Sequence, residues 1–268
     1  MELLCPLCGE PLETIEKSLA CPNRHSFDIA RQGYVHLLPV QSKHSRSPGD
    51  TREQVTSRRR FLEGGFYEPI AKAVTRAALD AGIQGEILDV GCGEGYYGAY
   101  LARALGCPLT GVDISKEAVR CAAGKYKGHQ WLCASAAHLP VKDGAVSLLT
   151  SLFSVTLPGE FHRVLRPGGT FLYVVPAADH LWELKQVLYE KPYPNEEKET
   201  PYEGFTYETI VPVDARIHLE NQADIHALFQ MTPYYWKTPK AGAERLAALD
   251  HLDCRIAFRV HIFRKITD

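Results

Sequence analysis

The stretch "EILDVGCGEGYYGAYLARALG" constrains the fold of this chain more than any other. "EILDVG" reads as a buried strand and "GYYGAYLARALG" as a helix closed by Gly106. A strand that runs into a glycine-dense turn and leaves as a helix is half of a βαβ unit. The alternation continues downstream. "LTGVDIS" is a second strand, and Ser115 can cap the helix "KEAVRCAAGKY". "HQWLCAS", "AVSLLTSLFS" and "TFLYVVP" are further strands, and "GEFHRVLRPGG" is a helix stopped by Pro167-Gly168-Gly169. Upstream, "FLEGGFYEPIAKAVTRAALDAG" carries a helical stripe through Ile70, Val74, Ala77 and Ala78 and ends at Gly82. Such alternation gives an α/β protein with a mostly parallel sheet covered on both faces. After Pro176, "DHLWELKQVLYE" and "NQADIHALFQ" read as helices, "KPYPNEEKETPYEG" as an acidic loop and "CRIAFRVHIFRKI" as a terminal strand.

The turn also constrains the ligand. Read as Gly93-x-Gly95-x-x-Gly98, with Asp113 about 20 residues on, it matches a dinucleotide fingerprint, so NAD binding is one alternative. Read as Gly91-x-Gly93-x-Gly95 preceded by Asp89, it points elsewhere. A carboxylate at the strand end would face the ligand, repel pyrophosphate and welcome an ammonium group. S-adenosylmethionine (SAM) has that group, a sulfonium and a ribose. Asp89 suits the amino-acid end and Asp113 the ribose hydroxyls.

A second feature precedes this body. Cys5-Pro-Leu-Cys8-Gly9 is a metal knuckle, and Cys21 and His25 complete four soft ligands. Tetrahedral zinc suits that set, and four protein ligands leave no open position, so the site is structural. Redox use of the Cys-x-x-Cys pair and disulfide formation both fit the context poorly. So short a module has too little core of its own, and metal binding would supply its folding energy. It either recognises a large polyanion or merely staples the N-terminus. Composition leaves the two even. The segment 41–60 sets Lys43, Arg46, Arg52, Arg58, Arg59 and Arg60 against Asp50 and Glu53, a local basic excess in a chain whose net charge is only -2. Nothing reads as a signal peptide or a bilayer span, which makes a cytoplasmic protein the expectation.

Taken together, "LDVGCGEG", "GVDIS", "AHLP" and "FHRVLRPGGTFL" resemble the seven-stranded, Rossmann-like SAM-dependent methyltransferases. Over the whole chain, "CPLC…CPNRHSFDIARQGYVHLLPVQ", "SRSPGD", "RRRFLEGGFY", "DHLWELK" and "MTPYYW" resemble the large-subunit rRNA guanine-N1 methyltransferases of the RlmA type. The resemblance implies a zinc-binding RNA-recognition domain at 1–37, a basic linker at 38–60 and a SAM-dependent methyltransferase domain at 61–268. It places structural Zn2+ on Cys5, Cys8, Cys21 and His25. It adds Tyr67, Gly95, Tyr96 and His180 to the cofactor contacts Asp89, Gly91, Gly93 and Asp113. It names 23S rRNA as partner and suggests a homodimer, with no membrane. No general base is identified. Ser135 stands where many relatives carry an acid for adenine. "TSLFSVTLP" lacks the Asn/Asp-Pro-Pro-Tyr/Phe motif of exocyclic-amine methyltransferases. The alternative is a small-molecule methyltransferase with a structural zinc clip.

Overall fold

The computed structural model describes residues 1–42 and 48–267. Lys43 and Arg46, two of the expected basic residues, lie outside the described residues.

The N-terminal module is a three-stranded antiparallel sheet of β1 (Glu13–Ile15), β2 (Ser18–Ala20) and β3 (Ser26–Asp28). The chain then forms β4 (Tyr34–His36), which leaves the module and pairs in parallel with β7 of the main sheet. Two helices follow, α1 (Arg52–Glu63) and α2 (Glu68–Asp80), separated by the glycine pair Gly64-Gly65. The sequence stripe read through this break as one element. Gly65 takes φ +79°, a conformation open to glycine, and so turns the chain.

The main domain alternates strand and helix: β5 (Ile87–Val90), α3 (Tyr96–Leu105), β6 (Leu109–Asp113), α4 (Lys116–Lys125), β7 (Gln130–Cys133), β8 (Val146–Leu152), α5 (Pro158–Val164) and β9 (Leu165–Pro176). Then come α6 (Trp182–Leu188), β10 (Phe205–Leu219), α7 (Gln222–Gln230), α8 (Lys240–Ala247) and β11 (Leu252–Lys265). The sheet order is β10-β11-β9-β8-β5-β6-β7-β4. β4 to β9 run parallel, and β11 pairs antiparallel with both β9 and β10. The seven strands expected of a Rossmann-like methyltransferase are β5 to β11, and β4 adds an eighth. The order reverses between β5 and β8, and ligands of such sheets bind outside the carboxyl ends of strands at that point.

β5 and β8 are buried at every position, because helices cover both faces. The zinc module shares this core. Leu3, Cys5, Leu12, Leu19 and Cys21 pack in one cluster with Leu132, Val141 and Phe161. Leu3 bridges Val141, and the Leu4 N–H donates to the Pro140 carbonyl at 3.0 Å.

Candidate cofactor cleft and metal centre

In the glycine turn, Gly91, Gly93 and Gly95 take φ of +73°, +55° and +84°. A Cβ on Gly95 would stand 2.5 Å from Cη2 of the buried Trp131, and one on Gly91 would overlap Ser154. The N–H groups of Gly91, Cys92, Gly93 and Gly95 are spent inside the protein. Gly91 and Cys92 donate to the Val112 carbonyl at 2.8 and 3.1 Å, Gly93 to Asp113 Oδ2 at 2.9 Å, and Gly95 to the Cys92 carbonyl at 2.9 Å. A pyrophosphate needs such donors free. This loop withholds them, which argues against a dinucleotide.

Asp113 ends β6 facing a cleft of about 900 Å³. Its Oδ1 accepts the Ser115 N–H at 2.8 Å, which with the Gly93 bond fixes the carboxylate's direction. Burial pushes its pKa up against those two bonds. Tyr67, Gly91, Gly93, Glu94, Tyr97 and His180 also line the cleft. The backbone N–H of Ala257 donates to His180 Nδ1 at 3.3 Å, so the ring's proton sits on Nε2, 3.3 Å from the Tyr67 hydroxyl. Burial and nearby Lys185 push His180 down to about 3, so it is neutral. Tyr67 therefore accepts from His180, and its own O–H is left to donate elsewhere.

Three expected residues stand off the cleft lining. Gly95 and Tyr96 start α3 beside it. Asp89 is 2% exposed and sits behind the glycine turn. Its contacts within the protein hold the carboxylate between β8 and α3. Its Oδ1 accepts the Thr150 hydroxyl at 2.8 Å, and a Cβ on Gly98 would lie 2.6 Å from its Oδ2. Asp89 thus ties β5 to β8 and α3. Burial pushes it up to about 6, against the pull of the Thr150 bond. Ser135 is also away from the cleft and accepts the Ala137 N–H at 3.2 Å.

Sequence reasoning missed the roof. Thr51 and Gln54 form a capping box, their side chains bonding each other's backbone N–H at 3.3 and 3.0 Å, and this starts α1. The Thr-x-x-Gln spacing after Pro48-Gly49 was the available signal. α1 is clamped to α7: Arg60 pairs with Asp224 at 2.8 Å, Gln230 donates to Glu53 at 2.9 Å, and Ser57 bonds Gln230. Arg58 pairs with Asp50, and both line the cleft over the glycine turn. Arg59 pairs with Glu63 at 3.6 Å. Arg58, Arg59 and Arg60, which make up half of the basic residues of segment 41–60, are thus each engaged by a carboxylate of the chain. From the acidic loop, Tyr193 and Asn195 bound the cleft, while Glu197 and Glu199 pair with Arg259.

The cleft fits SAM. Its carboxylates suit ribose hydroxyls and a cation, and two buried polar atoms in its wall, Tyr97 OH and Glu94 Oε2, lack a protein partner. Burial pushes Glu94 up to about 7, against the attraction of Arg58. A volume near the top of the roughly 300–1,000 Å³ range of small-molecule sites leaves room for an acceptor as well.

The metal centre gathers Cys5, Cys8, Cys21 and His25 with their ligand atoms all within 4.8 Å of one another. Cys8 and Cys21 sulfurs are 3.7 Å apart, and His25 Nδ1 lies 3.5 and 3.4 Å from the Cys5 and Cys21 sulfurs. Tetrahedral zinc with ordinary bond lengths requires about 3.8 Å between sulfurs and about 3.6 Å between sulfur and nitrogen. The site fits. Gly9, at φ +77°, turns the knuckle and donates to the Cys5 carbonyl at 2.8 Å. Backbone donation at Glu10 leads the effects that bring Cys8 down to about 6, toward the thiolate that zinc takes.

The fold and these two sites define a Rossmann-like, SAM-dependent methyltransferase carrying a structural zinc ribbon. Comparison with known proteins agrees. Residues 3–46 match the zinc-ribbon family described as "RlmA, N-terminal", and residues 87–169 match a methyltransferase domain. The 23S rRNA (guanine(748)-N(1))-methyltransferase of Streptomyces fradiae is 38% identical over 200 residues, covering 69% of this chain and 67% of that one. The "Putative 23S rRNA (guanine-N(1)-)-methyltransferase YxjB" of Bacillus subtilis (strain 168) is 32% identical over 271 residues, covering 94% and 93%. This chain belongs to the 23S rRNA (guanine-N1) methyltransferase family. Among the described residues, no helix is long and apolar enough to cross a membrane.

Proposed function

We propose that this protein transfers a methyl group from SAM to N1 of a guanine in a hairpin of 23S rRNA. The observation that carries the reading is the joining, in one chain, of the zinc centre and the glycine-turn cleft, alongside a relative aligned over 93% of its own length. Bound SAM supplies an electrophilic methyl on sulfonium.

The chain's own residues then bind and orient. Asp113 holds the ribose hydroxyls, and Gly91 and Gly93 let the methionine part approach the backbone. Tyr67, oriented by His180, donates its hydroxyl to the cofactor. Gly95 and Tyr96 start the helix that shapes the loop, and Asp89 braces it from behind. The main contribution to rate is positioning of the acceptor nitrogen in line with the methyl group. Guanine N1 loses its proton as the bond forms. The base is drawn out of its loop into the cleft, where its N1 edge can meet the methyl group.

The zinc-ribbon module at 1–37 recognises RNA, the segment 38–60 joins and roofs, and 61–268 performs transfer. Cys5, Cys8, Cys21 and His25 hold the zinc. The resemblance supports a cytoplasmic homodimer. Incubating the protein with methyl-labelled SAM and unmodified large-subunit rRNA tests the reading. One guanine should gain label and stop reverse transcriptase. No label in any RNA would refute it.

A further inference from the structure

Three large aromatic residues stand exposed among the described residues: Phe153 at 42%, Tyr193 at 53% and Trp236 at 71%. All three line the cleft. Aromatic rings scattered over a surface mean little, but rings gathered at one cleft mark a binding surface for a flat apolar partner. Phe153 is the deepest-set of them. It follows β8, and its backbone takes φ 58°, the left-handed region that a bulky residue rarely adopts. Its N–H is still bonded to the Val174 carbonyl at 3.2 Å, so the conformation is held in place. Strain kept at a site is a pointer to function. Phe258 at 5.1 Å, Tyr97 at 6.0 Å and Tyr67 at 6.4 Å between centroids pack around the ring. The residue is still 42% exposed and lines the cleft.

The position is informative. Asp113, which ends β6, marks the ribose end of the cofactor, and Gly91, which follows β5, marks the methionine part. Ser154 lies against Gly91, so Phe153 and Ser154 stand at the methionine side, where the acceptor must approach the methyl group. Resting on the proposed function, we infer that Phe153 is the platform on which the target guanine stacks once drawn from its loop. A π face tolerates any base and fixes its plane, which orients N1 toward the methyl group without demanding a hydrogen bond. Phe153 is thus a substrate-positioning residue.

The test compares the whole protein with Phe153→Asn, Phe153→Ala, Phe153→Tyr and Phe153→Trp. Asn tolerates the left-handed backbone, so that variant removes the ring without adding strain. Steady-state methylation of an unmodified rRNA hairpin gives kcat and KM, calorimetry gives SAM affinity, and thermal melting reports folding. Loss of the ring should lower kcat/KM for RNA by about 10- to 100-fold, with SAM affinity and melting temperature close to wild type. Tyr and Trp should restore most of the rate. Wild-type kcat/KM in the Asn variant overturns the platform. So does a parallel loss of SAM affinity, which would assign the ring to the cofactor. If Tyr and Trp fail to restore a rate lost in a folded Asn variant, stacking is again refuted. A wild-type protein that methylates no RNA overturns the substrate reading itself, and the platform with it.

Discussion

Asp89→Asn separates a charge that serves the ligand from a charge that serves the fold. The carboxyl is 2% exposed and pushed by burial to about 6, whereas an exposed aspartate sits near 3.8. A group raised in the folded state stabilises below its unfolded value and loses that stabilisation as pH climbs through its folded value. Wild-type protein should therefore lose stability from this residue between pH 5 and pH 8. Proton uptake on folded and unfolded values of about 6 and 3.8 amounts to roughly 1 kcal/mol over that interval. Asparagine keeps an acceptor for the Thr150 hydroxyl but turns an amide toward the Gly98 N–H, which donates to the carboxylate in the wild type. That lost bond costs about 1–3 kcal/mol at every pH. Asp113 and Glu94 titrate in both proteins and largely cancel. The discriminating quantity is therefore the change in the mutational difference, read from urea unfolding at pH 5 and pH 8 with zinc saturating. The variant should gain roughly 1 kcal/mol on wild type as pH rises. SAM affinity at pH 8 should fall only about threefold or less, about 0.7 kcal/mol. A mutational difference flat in pH refutes the buried-charge account. A fall in affinity of a hundredfold would return Asp89 to the ligand.

Other outcomes follow from the same geometry. Cys8→Ser should lower zinc content measured by atomic emission and depress RNA methylation, with SAM binding retained by calorimetry. Gly111→Ala should destabilise by about 1–3 kcal/mol in urea, because its methyl would overlap the buried Trp131 ring. Glu94, near 7 and facing the cleft, should make affinity for cationic SAM rise between pH 6 and pH 8. Glu94→Gln should flatten that rise in calorimetric titrations across the interval.

The parallel core was legible because its strands are uninterrupted apolar runs bounded by glycine turns. Ile87–Val90 and Val146–Leu152 could be little else. The metal ligands were legible from spacing, since a knuckle brings its own geometry. β10 escaped notice. It pairs with one neighbour, β11, and only part of it is buried, so "FTYETIVPVDARIHL" keeps polar residues and a proline that an interior strand would exclude. β4 escaped because three residues carry no period, and its partner lies about a hundred residues away. The direction of Asp89 depends on Thr150, and the left-handed turn at Phe153 on the packing around β8. Neither leaves a local mark. The basic run at 58–60 was visible, but its carboxylate partners Asp50, Glu63 and Asp224 come mostly from other elements, and only folding reveals the neutralisation.

β4 carries a further consequence. A parallel sheet that ended at β7 would present a bare row of backbone donors and acceptors, a template for pairing with another molecule. The chain leaving the zinc ribbon caps that row as it passes. A methyltransferase fragment trimmed to start at residue 61 would keep its glycine turn yet carry an open seam, and should be sticky before it is inactive. The ribbon's exit strand acts as a selvedge: it finishes the woven edge, and the two parts of the protein are sewn together at the line where a domain boundary invites the scissors.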